Sequence, residues 1–132
     1  MKVTKENQQQ VLNEILEHSC NYFAERFGNS ARVDITPENV RSKNRHEELV
    51  LIRRVYSHHI RCAMRSFFYH PVPYKTIGET LGGKDHTSIM YFIETFSDFF
   101  TTDREFKRMY IKYAGYITKK YVMPKNLEYI QQ

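Results

Sequence analysis

The chain has no tryptophan and, in 132 residues, only two cysteines, four prolines and five glycines. Two thiols, Cys20 and Cys62, do not make the disulfide framework of a small secreted domain, so a reducing, cytoplasmic setting is expected. So few turn-forming residues leave little room for the many reversals of an all-β chain. No apolar run approaches the ~18 residues of a membrane span, and residues 1–8 lack the apolar stretch of a signal peptide. A soluble protein without a membrane partner is therefore expected. No glycine-rich loop runs into Lys and Ser or Thr, so neither bound nucleotide nor any other cofactor is expected. The carboxylates are scattered and no Ser-His-Asp order suggests itself, which argues against an enzyme. Internal repeats, low-complexity segments and strand patterns are absent as well.

What is present is ordinary in bulk and uneven in detail. Hydrophobic residues make up 41% and charged residues 27%, a globular mixture of a length that suits one domain over 1–132. Aromatic content is high for so short a chain, with 10 Tyr and 9 Phe. Residues 1–40 hold four Lys/Arg against six Asp/Glu, whereas residues 41–132 hold sixteen against nine. A basic region behind a mildly acidic lead favours a polyanionic partner, with solubility alone as an equal alternative until a motif is considered.

Apolar periodicity predicts an all-α chain of about five to six helices, one of them long and central. The first spans about 5–27, with Val11, Leu12, Ile15, Cys20, Tyr22, Phe23 and Phe27 on one stripe and Gly28 to end it. Residues 29–44 read as a connection with one helical turn over 37–41, capped by Thr36 and opened by Pro37. Leu49, Ile52, Val55, Tyr56, Ile60, Ala63, Met64 and Phe67 predict the long helix over about 44–68, which His70-Pro71-Val72-Pro73 breaks. A short helix over 74–81 follows. The next runs over about 85–100, with a narrow stripe of Ile89, Phe92, Ile93, Phe96 and Phe100. The last covers about 103–122 on Phe106, Met109, Tyr110, Tyr113, Ile117 and Tyr121, before a loose tail over 123–132. The helical spacing of the Tyr and Phe residues over 91–121 assigns them to core rather than to a base-stacking platform.

The informative segment is Thr76-Ile77-Gly78-Glu79-Thr80-Leu81-Gly82-Gly83-Lys84-Asp85-His86-Thr87-Ser88, which reads as helix, tight turn, helix. Asp85 caps the second helix, and His86, Thr87 and Ser88 fill its exposed first turn. This layout sends a helix N-terminus into a DNA major groove. Imidazole and hydroxyl groups hydrogen-bond base edges there, and amides at a helix start suit phosphate. Lys75 and Lys84 flank the motif as candidate phosphate anchors. A second basic strip, Arg41-Ser42-Lys43-Asn44-Arg45, suits an exposed loop.

Leu81-Gly82-Gly83-Lys84-Asp85-His86-Thr87-Ser88-Ile89 resembles the signature of the C-terminal DNA-binding domain of the bacterial replication initiator DnaA, where the family usually has Phe-Gly-Gly-Arg-Asp-His-Thr-Thr-Val. Ser42-Lys43-Asn44-Arg45 and Glu48-Leu49-Val50-Leu51-Ile52-Arg53 are similar to the family's basic loop and the opening of its long helix. The resemblance covers roughly residues 10–113. It implies an all-α helix-turn-helix domain that binds short asymmetric boxes in duplex DNA, in replication initiation or its regulation, in a bacterium or phage. By position it implies that Asp85, His86 and Thr87 face bases, Ser88 a phosphate or base, and Arg45 the minor groove. Arg53 falls on a DNA-contacting arginine, and Arg54 where the family often has glutamine. The stretch from Arg53 to Ile77 is about six residues longer than the family pattern, which leaves Arg61 without a secure counterpart.

Other readings stand beside these. Arg53 and Arg54 can pair with Glu47 or Glu48 on one helix, although phosphate is the reading taken for Arg53. His58, His59 and Cys62 sit at helical spacings that invite a metal, but a closed zinc site needs about four ligands and no second pair follows. A protein-interaction module that keeps the fold without DNA specificity is the rival function, with the lead over 5–10 and the first helix as its docking element. An intact basic loop together with an intact His-Thr turn favours DNA, with replication or regulatory proteins as further partners.

Overall fold

In the computed structural model, which describes residues 3–68 and 70–121, the chain is all-α, and no strand occurs among the described residues. Among the described residues six α-helices follow one another: α1 (Gln8–Phe27), α2 (Pro37–Arg41), α3 (Glu47–His58), α4 (Tyr74–Thr80), α5 (His86–Thr102) and α6 (Arg104–Tyr121). A 3-10 turn over Gly28–Ser30 follows α1, and a π turn over His59–Ala63 prolongs α3. No helix of the described residues is long and apolar enough to cross a membrane. Val122, expected to close α6, and the tail over 123–132 lie outside the described residues.

Local chemistry explains most boundaries. α1 begins three residues later than expected because Thr4 and Asn7 exchange backbone-to-side-chain hydrogen bonds of 2.7 and 3.3 Å and hold 4–7 as a turn. It ends at Gly28, whose φ of +54° is a conformation few side-chain-bearing residues adopt. α2 has the predicted form: Pro37 stands first, and the Thr36 hydroxyl accepts the Asn39 amide at 3.1 Å. α3 starts at Glu47, not at residue 44. A ladder of local bonds, Asn44 N to Ser42 Oγ (3.1 Å) and His46 N to Asn44 Oδ1 (2.9 Å), keeps 42–46 out of the helix.

The long helix does not run unbroken to residue 68. After His58 it widens into the π turn, closed by Met64 N to His59 O at 2.8 Å. An i→i+5 turn slips the helical register. It carries Met64 and Phe68 into the core and leaves Ala63, expected to be buried, exposed.

One cluster of buried residues joins all six helices, including Leu12, Ile15 and Leu16 of α1, Val40 of α2, Leu49, Ile52 and Tyr56 of α3, Ile77 of α4, Ile89 of α5 and Tyr113 of α6. Three buried hydroxyls are satisfied within it: Tyr56 OH donates to Leu12 O at 2.8 Å, and Ser19 Oγ lies 2.7 Å from Tyr113 OH, whereas Ser57 Oγ and Tyr121 OH are buried without a hydrogen-bond partner among the described residues. The aromatic residues of α5 and α6 belong to this core. Phe96 meets the rings of Tyr110 and Phe106 edge-on at 4.7 and 5.2 Å. It also stacks on His58 at 3.6 Å between centroids, with only 8° between the planes. His59 lies beside it, 2% exposed, its Nδ1 2.9 Å from Tyr110 OH. These histidines are thus core neighbours of aromatic rings, while Cys62 is exposed.

Candidate nucleic-acid interface

α4, the residues after it and α5 form the helix, tight turn and helix that the glycines announce. Ile77 and Leu81 are fully buried and fix α4 to the core. Gly82 and Gly83 both have φ of +88°, which L side chains rarely adopt. The chain reverses tightly because Gly83 N and Lys84 N both donate to Gly78 O, at 2.9 and 3.0 Å. A Cβ at Gly78 would fall on the Lys84 carbonyl, so this position needs its glycine for close approach. Asp85 then caps α5, its Oδ1 accepting the Ser88 amide at 2.9 Å. Bonds from Ser88, the backbone amide first, hold the Asp85 carboxyl below its usual range. His86 and Thr87 are exposed on the opening turn of α5, Ser88 is half-buried, and Ile89 turns into the core.

The end of α2 is held from two sides by cations expected at DNA, Arg53 of α3 and Lys84 of the turn. Arg53 is 3% exposed. Its Nε donates to Val40 O at 2.8 Å, and its Nη2 donates to Asn39 O and Ser42 O at 3.2 and 3.0 Å. From the other side Lys84 Nζ donates to Leu81 O (2.7 Å), Ser42 O (3.0 Å), Arg41 O (3.2 Å) and Val40 O (3.3 Å). The last carbonyls of a helix have no partner within it and carry the negative end of its dipole, so two cations there satisfy both demands. Burial, with Arg53 beside it, pushes the Lys84 amine down to about 8, which still leaves an ammonium at neutral pH. Gly82 completes the junction: a Cβ there would strike the Arg41 carbonyl.

Arg41 crosses the junction in the opposite sense. Its Nε donates to Thr80 O at 3.0 Å and its Nη2 to Asn13 Oδ1 at 3.4 Å, while Gln9 Nε2 reaches Thr80 Oγ1 at 2.9 Å. The sequence reading gave Arg41, Thr80 and Gln9 no such part. The loop that leaves this junction carries Lys43, Asn44 and Arg45, all exposed.

Lys75 is exposed on α4. Arg54, half-buried, donates from Nε to Thr95 Oγ1 at 2.8 Å and lies over the Phe99 ring at 4.8 Å, so it rests on α5. Arg61 braces the segment before α4, donating to Val72 O at 2.8 Å with its guanidinium 4.5 Å from the Tyr74 ring centre. Eight candidates gather along one junction: Lys43, Arg45, Arg53, Lys84, Asp85, His86, Thr87 and Ser88, and of these the side chains of Lys43, Arg45, His86 and Thr87 are exposed and take no part in its internal bonds. Arg54 is instead held along α5. In comparisons with known proteins, no family model, curated protein or solved structure matches the chain.

Proposed function

We propose that the chain is a sequence-preferring binder of duplex DNA, with the first turn of α5 in the major groove and the 43–45 loop in the adjacent minor groove. The observation that carries the proposal is the clamp. Lys84 ties the backbone that launches Lys43 and Arg45 to the turn that launches His86 and Thr87, and Arg53 holds that same backbone to α3. Two exposed, chemically suitable elements are thereby held at a fixed separation. In this reading His86 and Thr87 read base edges, Arg45 enters the minor groove, and Lys43, Lys75 and the α5 N-terminus contact phosphate. Arg53 and Lys84 act as positioning residues, and Asp85 caps the helix start by accepting the Ser88 amide. In this reading Asp85 also faces a base, and Ser88 a phosphate or base. By analogy only, the resemblance of 81–89 to the DnaA signature supports a role in replication initiation or its regulation.

The test is selection of bound sequences from random duplexes, followed by titration over a salt series. An enriched box and a steep loss of affinity with salt are expected. His86→Ala should cost ~1–3 kcal/mol of discrimination at one or two positions, and Arg45→Ala should weaken binding most where the minor groove is narrow. Absence of any enriched sequence would sink the proposal, as would two variants that bind like the parent.

A further inference from the structure

The charge of the chain is concentrated where the reading turn is not. α6 carries Arg104, Lys107, Arg108, Lys112, Lys119 and Lys120 against a single Glu105, a balance of +5. The whole chain has a formal net charge of +5, so all the rest of the sequence is balanced. Arg104, Arg108, Lys112 and Lys119 recur at spacings of four and seven, which places them on one face of the helix, and all four are exposed. At ~1.5 Å per residue this strip is about 22 Å long.

The middle of the strip has two unusual residues. Ile111 is 56% exposed, a large apolar side chain with no cover. Gly115 lies in the helix interior, where glycine costs about 1 kcal/mol relative to alanine. A Cβ there would meet nothing within 4 Å, so no internal contact requires the glycine. A bare stretch of backbone between cations lets a broad surface approach closely. The nearest carboxylates in sequence are Glu105 and Asp103, both at the N-terminal end, where Asp103 Oδ1 accepts the Phe106 amide at 3.1 Å. Lys120 points elsewhere: it lies over Tyr116 at 4.6 Å and beside His18 of α1.

We propose that this face of α6 binds the phosphate backbone of duplex DNA independently of sequence, as a second contact surface apart from the α5 turn. A regular polyanion fits a long, one-signed strip better than a compact anion does. One DNA strand presents a charge every ~3.4 Å along the axis, so the strip spans about six phosphates. α5 separates the two surfaces by most of its 17 residues, so the strip meets either a continuation of the duplex or another segment. The inference rests on charge and exposure in α6 and does not require the base-reading role of α5.

The experiment uses the full chain and the combined variant Arg104→Gln, Arg108→Gln, Lys112→Gln, Lys119→Gln. Binding is titrated against a duplex of arbitrary sequence and, separately, against phosphatidylserine vesicles. Affinity for the arbitrary duplex should fall at least tenfold at low salt, and the slope of log K against log salt should shrink by about 3. Ile111→Lys, which adds a cation to the strip, should tighten the same binding and steepen the slope by about 1. Unchanged duplex binding in both variants overturns the proposal. So does loss of vesicle binding with duplex binding intact, which would make an anionic lipid surface the partner. His86→Ala separates the two proposals: it should reduce sequence preference at one or two positions and leave this slope unaltered.

Discussion

The two ends of α5 are held in opposite ways. At its start, side chains bond to backbone: Arg53, Lys84, Arg41 and Asp85 satisfy carbonyls and amides of α2, α4 and the turns. At its far end rings pack on rings, with Phe96 between His58, Tyr110, Phe100 and Phe106. Hydrogen bonds to fixed carbonyls set distance and direction, whereas aromatic packing supplies bulk stability through buried area. The comparison assigns geometry to one end and cohesion to the other, and each can be disturbed separately.

The largest effect should come from the aromatic end. Phe96→Ala removes the ring that touches all these partners and should lower stability by ~3–5 kcal/mol in urea denaturation. DNA affinity should be retained wherever the variant remains folded. A variant that loses affinity while fully folded would show that the ends are not separable. Next comes acid. Burial pushes His58 and His59 down to about 4, and for His59 the neighbouring His58 adds to the shift. Both are therefore neutral when folded but take up a proton near pH 6.5 when unfolded. Between those values the unfolded chain binds more protons. Stability should be complete above about pH 6.5 and fall as pH drops toward 4, by about 3 kcal/mol for His59 alone. Urea midpoints that do not move between pH 7 and pH 4.5 would contradict this assignment.

Under the proposed function, the start of α5 should give smaller losses of stability and larger losses of DNA binding. Arg53→Met leaves the carbonyls of Asn39, Val40 and Ser42 without that donor and should cost ~2–3 kcal/mol. Under the proposed function its affinity for the selected box should drop well beyond what unfolding explains, because the backbone that launches the loop loses its hold on α3. Equal binding by the folded variant would refute the positioning role. Asp85→Ala removes one helix cap and should cost ~1 kcal/mol, with Asp85→Asn recovering most of it. A similar loss in both would mean that charge, not the cap, is what matters at that position.

The same division explains what could be read from the sequence. α2 was legible to its last residue because Thr36 and Pro37 act on the adjacent backbone. The aromatic stripes were legible because burial follows helical spacing. The π turn was not, since widening a helix by one residue leaves no mark in composition; Ala63 was misplaced for that reason. The clamp was hidden more deeply. Arg53 and Lys84 bond to carbonyls that every residue possesses, so no complementary residue type signals the pairing. A buried arginine and an exposed one look alike in sequence. The basic face of α6 was visible as a charge excess over 41–132, but only the helix boundaries resolve that excess into a strip.

Gly82 pressed against the Arg41 carbonyl has one more consequence. Under the proposed function the loop and the helix start behave as a caliper with a fixed gap. Such a tool does not adjust to its object. A duplex whose neighbouring grooves do not match the gap must itself bend or narrow before both jaws engage, and the ease of that deformation depends on base pairs the protein never touches. Part of the sequence preference would then reside in the mechanics of the DNA, and substitutions that loosen the junction should broaden the set of tolerated sites before they abolish binding.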